Sequence, residues 1–384
     1  MKLEADWLTR PATQALCAAL EGAGFHALFV GGCVRDGIIG RSVSDIDIAT
    51  DARPERVMGV TQAAGMKPVP TGIDHGTVTV VAGGFPHEVT TFRRDVETDG
   101  RRAVVAFSER VEEDAERRDF TINALYADAR GQVLDPLGQG LPDLEARRVR
   151  FIGDPRDRIE EDYLRILRFF RFHAHYADPA GGLDAEGLAA CAGMAEGLDG
   201  LSRERVGAEM VKLLSAPDPA PAVAAMTQAG ILARVLPGAD ATALPVLVHL
   251  EGQHGLSPDP VRRLALIGGE NATDALRLSK SQASCIANRR ARIGDVAGAG
   301  ALGYPLGDQA GRDVVLLRAA LFGTGVTQAD LDAVAHGAAQ TLPIRAADLQ
   351  AKGLSGPALG EALRAAEARW IASGFTLTKP DLLA

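Results

Sequence analysis

A short segment near the N-terminus constrains this chain more than any other feature. It reads Gly31-Gly32-Cys33-Val34-Arg35-Asp36 and is followed by Asp45-Ile46-Asp47. Two glycines let the backbone approach a charged ligand closely, and Arg35 is long enough to reach a phosphate. Asp45 and Asp47 are two positions apart, so on a strand both carboxylates point to one face. Phosphate contacts beside paired carboxylates indicate Mg²⁺-assisted nucleotide chemistry.

The Asp45/Asp47 pair is a weak signal when it stands alone, because two aspartates at this spacing are also typical of a solvated strand end. The upstream Gly-Gly-x-x-Arg-Asp segment favours the functional interpretation. A nucleoside triphosphate carries about four negative charges, which metals and cationic side chains neutralise. The chain contains no GxxxxGK[ST] motif, so a P-loop is not indicated.

Composition narrows the class of protein. The chain has 384 residues, of which 46% are hydrophobic, so two or three domains with full cores are expected. It contains no run of about 18 apolar residues that would predict a membrane span, and its acidic N-terminal segment lacks the apolar core of a signal peptide. The four cysteines lack zinc-binding spacing and are typical of reduced thiols, which predicts a cytoplasmic protein.

The net charge of −9 argues against a generic polyanion binder, which would be basic. Any nucleic acid is therefore expected to bind at local basic patches. One candidate is Arg147–Arg171, with eight arginines against five acids. The second candidate patch consists of Arg277, Lys280, Arg289, Arg290 and Arg292. A solvated helix face explains this second patch equally well.

The hydrophobic pattern changes near residue 155. Before it, Val43–Thr50 is predicted to be the strand that carries both aspartates, and Thr77–Ala82 pairs with Glu88–Phe92 across Gly83-Gly84. The charged segment 93–118, with its Asp99-Gly100 turn signal, is predicted to be a loop near the site. After residue 155 the pattern is helical. The predicted fold class is α+β, a mixed sheet with helices followed by an all-α C-terminal region.

Two further segments carry candidate binding residues. Arg117-Arg118-Asp119 places two arginines beside one aspartate, although these side chains can also simply pair with one another. Ile159–Phe172 is periodic as a helix, on which Asp162 and Arg165 are neighbours. The Asp162 carboxylate can accept from the exocyclic amine of cytosine or adenine, and the Arg165 guanidinium can donate to the adjacent ring nitrogen. Uracil and guanine present a carbonyl in place of that amine, which the carboxylate repels. An ordinary intrahelical ion pair is the alternative.

Taken together, these segments resemble the class II tRNA nucleotidyltransferases, or CCA-adding enzymes, and their bacterial poly(A) polymerase relatives in the DNA polymerase beta nucleotidyltransferase superfamily. The segments that carry the resemblance are LFVGGCVRDGIIGRSVSDIDIAT, RRDFTINAL, DPLGQGLPDL and EDYLRILRFFRF. The resemblance implies a nucleotidyltransferase head at residues 1–150 and a helical nucleotide-binding neck at 151–215. It also implies a helical, tRNA-binding body and tail at 216–384.

The resemblance implies roles for individual residues. Asp45 and Asp47 are expected to be the catalytic residues and to hold the metals, with Glu88 as a candidate third carboxylate that is equally consistent with a rim glutamate. Asp162 and Arg165 are expected to read the base edge. The residues expected to bind the nucleotide are Gly32, Arg35, Arg118, Asp119, Asp162, Arg165, Arg168 and Arg171.

The activity that the resemblance implies is template-independent addition or repair of the 3′-terminal CCA of tRNA from CTP and ATP, with Mg²⁺ as cofactor and release of pyrophosphate. The expected partner is the acceptor arm and 3′ end of tRNA; neither a membrane nor an obligate protein partner is expected. A poly(A) polymerase, an enzyme that adds only C or only A, and a non-catalytic tRNA-binding protein remain alternatives. The intact Asp45/Asp47 pair argues against the last of these.

Overall fold

The computed structural model describes residues 1–98 and 103–384. The chain divides into two compact units, the first formed by Met1–Glu209 with Ala225–Val235 and the second by Met210–Ala224 with Leu236–Ala384. The strands given below fall in the first unit, and the second unit is built from helices. The predicted α+β class, with a mixed sheet followed by an all-α region, is confirmed. The boundaries at residues 150 and 215 stay predictions.

A mixed sheet forms the centre of the first unit. In chain order the strands are β1 (Leu28–Val30), β2 (Asp47–Thr50), β3 (Lys67–Gly72), β4 (Thr77–Ala82), β5 (Phe85–Thr91), β6 (Arg93–Thr98), β7 (Ala103–Phe107), β8 (Tyr126–Ala127) and β9 (Val133–Leu134). Seven of the described strands form one sheet in the order β3-β4-β5-β2-β1-β8-β9. Its β2–β5 pair is parallel and its other pairs are antiparallel.

Helices α2, α3 and α4, whose ranges follow, pack against strands of the sheet, and helices make up most of the remaining chain. The earlier helices are α1 (Asp6–Thr9), α2 (Pro11–Gly22), α3 (Gly32–Ile38), α4 (Pro54–Ala63), α5 (Val111–Glu116), α6 (Gly140–Glu145), α7 (Pro155–Glu161), α8 (Leu164–Tyr176), α9 (Ala185–Gly193), α10 (Arg203–Leu214), α11 (Ala220–Gln228) and α12 (Ile231–Val235). The later helices are α13 (Leu244–Gln253), α14 (Pro260–Ile267), α15 (Ala272–Ala275), α16 (Lys280–Ile293), α17 (Ala299–Leu306), α18 (Asp308–Phe322), α19 (Gln328–Ala338), α20 (Ala346–Gln350), α21 (Gly356–Ala372) and α22 (Lys379–Leu383). No helix in the described part of the chain has both the length and the apolar composition needed to cross a bilayer.

The β4–β5 hairpin confirms the turn predicted at Gly83-Gly84. Both glycines have positive φ angles, +55° and +84°, which a two-residue hairpin turn of this kind requires. Along β4, Val78, Val80 and Ala82 are buried and alternate with half-buried residues. This alternation fixes the register of the hairpin, because a slip of one residue would turn the apolar side chains away from the core.

The segment predicted to be a loop is largely regular. Arg93–Thr98 and Ala103–Phe107 form the antiparallel hairpin β6–β7, and α5 follows. The prediction was wrong because the charged residues of Arg93–Thr98 favoured a loop, whereas the apolar run Ala103–Phe107 is typical of a strand. Asp99 and Gly100, the predicted turn, lie outside the described residues.

A buried ionic network ties together four helices of the second unit. Glu251 on α13 accepts from Arg262 and Arg263 on α14 at 2.7 and 2.6 Å. Asp313 on α18 accepts from Arg262 at 2.8 Å and from Arg289 on α16 at 2.6 Å. Arg289 is only 6% exposed, so neither an RNA-binding patch nor a solvated helix face describes this member of the second predicted patch.

Candidate active site

The acidic residues singled out from the sequence meet at the β2–β5 pair. Asp47 begins β2 and lies directly opposite Glu88 in the parallel register of the two strands. Asp45 precedes the strand instead of lying on it, contrary to the predicted Val43–Thr50 strand, and its Oδ2 accepts from the Ser44 hydroxyl at 2.9 Å. Asp45, Asp47 and Glu88 nevertheless line one cleft of about 360 Å³.

The surroundings of Asp47 raise its pKa. Its partial burial raises the pKa, and the neighbouring carboxylates of Glu88 and Asp45 raise it further, while Arg118 opposes them. The net result is a pKa of about 6 against an ordinary value of 3.8. Like charges held together in this way favour a cation that binds between them.

The donor set suits a divalent metal such as Mg²⁺, which prefers carboxylate oxygens and binds through one or two of them while it keeps substrate or water ligands. Asp45 and Asp47 are the residues that would hold it. In residues 1–98 and 103–384, no three Asp, Glu, His or Cys side chains already converge closely enough to ligate an ion. Water or substrate oxygens would complete the coordination shell.

The predicted glycine turn links β1 to α3 beside the acids. Gly31 has a φ of +71°, which glycine adopts without strain, and a Cβ placed there would lie 3.4 Å from Nη1 of Arg118. The thiol of Cys33 donates to the carbonyl oxygens of Val30 at 3.4 Å and Asp47 at 3.8 Å, which ties the start of α3 to β2. The turn, Arg118 and Asp47 are thus brought together.

Arg35 is buried and fully engaged with protein groups. Its guanidinium forms two hydrogen bonds with Asp36, at 2.9 and 3.0 Å, and donates to Oδ1 of Asn123. It also donates to the Tyr176 hydroxyl at 2.7 Å and lies 4.0 Å from the centre of that ring. A Cβ on Gly32 would lie 3.7 Å from Arg35, so these two residues predicted to bind the nucleotide are neighbours.

Arg118 is held by an acid that the sequence analysis missed. Asp114, within α5, is 1% exposed and accepts from Arg118 at 2.9 Å, from Arg117 at 2.6 Å and from the Tyr126 hydroxyl at 2.7 Å. These partners outweigh the effect of burial and hold the pKa of Asp114 well below its usual range. The i,i+3 and i,i+4 spacing from Asp114 to the two arginines was the available signal.

Asp119 and Arg168 form a second buried pair beside the first. The Nη2 and Nε atoms of Arg168 donate to Oδ2 of Asp119 at 2.5 and 2.7 Å, and the Asn123 amide donates to Oδ1 at 2.8 Å. Burial alone would raise the pKa of Asp119, but Arg168 and Asn123 overcome it and hold the pKa at about 2. Asn123 therefore connects Asp119 to Arg35.

The predicted base-reading pair is divided by a break in the helix. The single helix predicted for Ile159–Phe172 ends at Glu161, and Asp162 is extended, with φ −156° and ψ 105°. The Asp162 carboxylate pairs with Arg205 at 2.6 Å, whereas Arg165 pairs with Glu161 and donates to the Arg117 carbonyl at 3.0 Å. Asp162 and Arg165 therefore form no ion pair with each other in the described structure.

Local contacts explain the break that periodicity could not reveal. The Asp162 carboxylate accepts from the backbone N–H of Leu164 at 3.1 Å, which offers the chain an alternative to the helical bond. The ring of Tyr163 packs so closely on Gly197 that a Cβ there would lie 1.9 Å from the ring.

Further along α8, Arg171 pairs with buried Glu209 at 2.6 Å.

Comparison with known proteins identifies related sequences and folds. Residues 27–150 match the family described as Poly A polymerase head domain, and residues 183–242 match the Probable RNA and SrmB- binding site of polymerase A. The CCA-adding enzyme of Streptococcus gordonii is 46% identical over 200 residues, which are 52% of this chain and 48% of that protein. The mitochondrial CCA tRNA nucleotidyltransferase 1 of Homo sapiens is 44% identical over 185 residues, 48% of this chain and 42% of that protein. The chain thus spans about half the length of the curated relatives it matches.

Solved structures extend the likeness along nearly the whole chain. The crystal structure of the Bacillus stearothermophilus CCA-adding enzyme in complex with CTP has a TM-score of 0.70 and 29% sequence identity, and the match covers 94% of this chain and 92% of that one. The Thermotoga maritima CCA-adding enzyme complexed with tRNA has a TM-score of 0.69 at 18% identity and covers 96% of this chain and 92% of its own. At that identity the second likeness shows a shared fold.

Proposed function

Because the chain belongs to the family of class II CCA-adding enzymes and bacterial poly(A) polymerases, we propose that it adds or repairs the 3′-terminal CCA of tRNA from CTP and ATP. The terminal RNA hydroxyl attacks the α-phosphate of the nucleotide, and pyrophosphate leaves. The observation that carries this proposal is the position of Asp47, which faces Glu88 across the strand pair and is within the electrostatic influence of Arg118 beside the glycine turn.

Family members generally use a divalent metal, and we propose Mg²⁺ at Asp45 and Asp47. When bound, this ion neutralises phosphate charge and lowers the pKa of the attacking hydroxyl. Asp47 must be ionised to contribute, which its pKa of about 6 permits at neutral pH. Glu88 adds a third negative group on the neighbouring strand and strengthens the attraction for the cation.

The phosphate-binding side of the site is formed by the glycine turn and Arg118. Asp114 and Tyr126 fix the guanidinium of Arg118, so little ordering remains to be done when a triphosphate binds. A contact between Arg35 and phosphate requires Arg35 to leave Asp36 or Tyr176. Without such a change, Arg35 supports the site by holding Asn123, and through it Asp119.

Base reading by Asp162 and Arg165 likewise requires an exchange of partners. Asp162 must share or release Arg205, and Arg165 must release Glu161, before both can face a base edge. The short separation of the two residues along the chain supports this proposal, since the backbone N–H of Arg165 already donates to the Asp162 carbonyl at 2.9 Å.

We propose that the activity takes place in the cytoplasm, because all four cysteines are free thiols. The tRNA acceptor arm is the proposed macromolecular partner, and the basic Arg147–Arg171 segment, which includes α7 and the first part of α8, is the surface proposed to contact it.

Incorporation of labelled nucleotide into a tRNA that lacks its CCA end tests the proposal. With Mg²⁺, we expect CTP to be added first and ATP to be added to a tRNA that already ends in CC, and we expect excess EDTA to abolish both reactions. Addition of ATP alone to unrelated RNA 3′ ends would favour the poly(A) polymerase alternative. No incorporation of any nucleotide would contradict the proposed activity.

A further inference from the structure

The acidic cleft has a cationic and aromatic corner that lies outside every motif described above. Arg10 and Phe85 line the same cleft as Asp45, Asp47 and Glu88. The guanidinium carbon of Arg10 lies 4.1 Å from the centre of the Phe85 ring. Phe85 is 45% exposed and is the first residue of β5 after the Gly83-Gly84 turn.

The corner is held rigidly by the packing of α2 against the β4–β5 hairpin. Arg10 immediately precedes Pro11, the first residue of α2. A Cβ on Gly83 would lie 2.8 Å from the Cβ of Ala12, so only glycine allows the helix this close to the turn. A buried hydrogen bond of 2.9 Å between Oγ1 of Thr13 and Nε2 of His87 joins α2 to β5. The backbone at Arg10 is therefore held beside Phe85 by packed elements.

The sheet order separates this corner from the phosphate-binding turn. Strand β2, which begins with Asp47, lies between β1 and β5. The glycine turn follows β1, whereas Phe85 begins β5 and lies three residues before Glu88, about 10 Å along the strand. This odd spacing directs the two side chains to opposite faces of the strand, so Phe85 lines the cleft from its rim, at the hairpin end of the sheet. The corner thus lies on the β5 side of the acids, away from the side proposed for the triphosphate.

The chemistry of the corner fits the end of a single RNA strand. An exposed aromatic ring stacks against a base or ribose, and an adjacent arginine contacts the phosphate. None of the described carboxylates lies within ion-pair distance of Arg10, so its charge is available to a ligand. Because the attacking hydroxyl must reach the acids from the side that the triphosphate leaves open, the RNA terminus is the ligand that suits this position.

We propose that Arg10 and Phe85 bind the 3′-terminal nucleotide of the RNA that is being extended, Arg10 at its phosphate and Phe85 at its base or ribose. This inference rests on the proposed function and adds to it a site for the acceptor strand. It separates the two substrates on opposite sides of Asp47, the acceptor at β5 and the nucleotide at β1.

Steady-state kinetics with Arg10→Ala and Phe85→Ala test the inference. We expect each variant to raise the KM for tRNA by at least about fivefold, the lower scale for loss of one stacking contact. The KM for CTP should stay at the wild-type value, because the glycine turn and Arg118 are untouched. In Arg10→Ala, the salt dependence of tRNA binding should weaken by about 0.7 in logarithmic slope, the value for one single-strand phosphate. Arg10→Lys should restore much of that slope.

A matched control comes from another arginine that lies over a ring in the same unit. Arg56 lies 5.8 Å from the centre of the Phe25 ring, and Arg56→Ala should leave both KM values unchanged. Thermal unfolding of each variant establishes that folding is retained, as the exposure of Phe85 leads us to expect.

The outcomes separate this inference from the proposed function. If the wild-type protein extends tRNA while Arg10→Ala and Phe85→Ala keep its KM for tRNA, the inference is overturned and the proposed function stands. A rise in the KM for CTP equal to that for tRNA also overturns it, because the corner would then serve the nucleotide. If the wild-type protein extends no RNA, the proposed function fails and this inference fails with it.

Discussion

Asp47 and Glu88 lie directly opposite each other on the parallel strands β2 and β5, and both residues line the same cleft. The partial burial of Asp47 raises its pKa, and repulsion from the Glu88 carboxylate raises it further, to about 6. A pair arranged in this way reduces the stability of the folded protein when both acids are ionised. The metal proposed at Asp45 and Asp47 would offset this repulsion.

The first prediction concerns stability without metal. The folded protein holds a proton on Asp47 more tightly than the unfolded chain does, so the associated stability is present below about pH 4 and is lost as pH rises through about 6. In EDTA at pH 7.5, Asp47→Asn should therefore be more stable than wild type by about 1–3 kcal/mol. The advantage should vanish near pH 4. Thermal unfolding at both pH values measures it, and a less stable variant at pH 7.5 would count against the assignment.

The second prediction concerns catalysis. Asp45→Ala and Asp47→Ala should each lower kcat by at least about 10²-fold, the usual scale for loss of an electrostatic contact in the transition state. Both variants should fold, since neither carboxylate forms an ion pair with a residue in the described part of the chain. Asp6→Ala, which removes an exposed acid from the same unit, serves as the control and should keep full activity. Near wild-type turnover in either cleft variant would contradict the active-site assignment.

The third prediction concerns the residue that positions Arg118. Asp114→Asn keeps the shape of the side chain but removes the charge that holds the guanidinium. Loss of a buried, charge-assisted bond is worth about 1.5–3 kcal/mol, so the KM for CTP should rise at least about tenfold. The KM for tRNA should not change. Asp128→Asn, at an exposed arginine pair, is the matched control. Equal effects on both substrates would indicate that Asp114 acts only through folding.

The fourth prediction concerns base choice. Asp162→Ala removes the acceptor for the exocyclic amine of C and A, together with the negative charge that repels the carbonyl of U and G. The ratio of kcat/KM for CTP to that for UTP should fall by about 5- to 100-fold, as expected for a buried polar group left unpaired. Measurement of all four nucleotides separates this effect from a general loss of rate.

A second variant distinguishes base reading from a purely structural ion pair. Arg205→Ala releases Asp162 from its observed partner while it leaves the proposed reading group in place. If Asp162 reads bases, this variant should keep the preference for CTP over UTP. If both variants change all four rates in the same proportion, the pair is structural and the base-reading role is wrong.

The fifth prediction concerns the ionic network of the second unit. Asp313 is fully buried between Arg262 and Arg289, so Asp313→Ala leaves two guanidinium groups without their shared acceptor. We expect a loss of about 3–5 kcal/mol in the free energy of unfolding. Arg292 lies on α16, the helix that carries Arg289, and forms an exposed pair with Asp295. Arg292→Ala should therefore change the free energy of unfolding by less than about 1 kcal/mol. Denaturant titration measures both, and equal effects would contradict the structural role of the network.

The sheet around the site was predictable from local signals. The glycine turn after β1 and the Gly83-Gly84 hairpin both depend on backbone conformations that few other residues adopt, so the sequence reveals them directly. Glu88 could be placed near Asp47 because the chain returns to a neighbouring strand after that hairpin. The parallel register that puts the two acids opposite each other is a property of the tertiary fold.

The helical part of the site shows where such reasoning fails. The spacing from Asp162 to Arg165 predicted a pair on one helix, but the rule holds only if the helix is continuous, and Tyr163 packing on Gly197 favours a break. Apolar residues on both sides keep the helical period, so periodicity gives no warning. In the same way, Arg289 was counted in a basic patch because a sequence does not show that Asp313 lies beside it.

The measurement that tests the central claim most directly is the sequence of the RNA product. A tRNA transcript that ends just before its CCA is incubated with the wild-type protein, Mg²⁺ and all four nucleotides, and the new 3′ ends are sequenced. The account predicts that the products end in C, CC and finally CCA, with no further addition, and that Asp47→Ala yields none of them. A tail of adenosines, or transcripts that remain unextended by the wild-type protein, would contradict it.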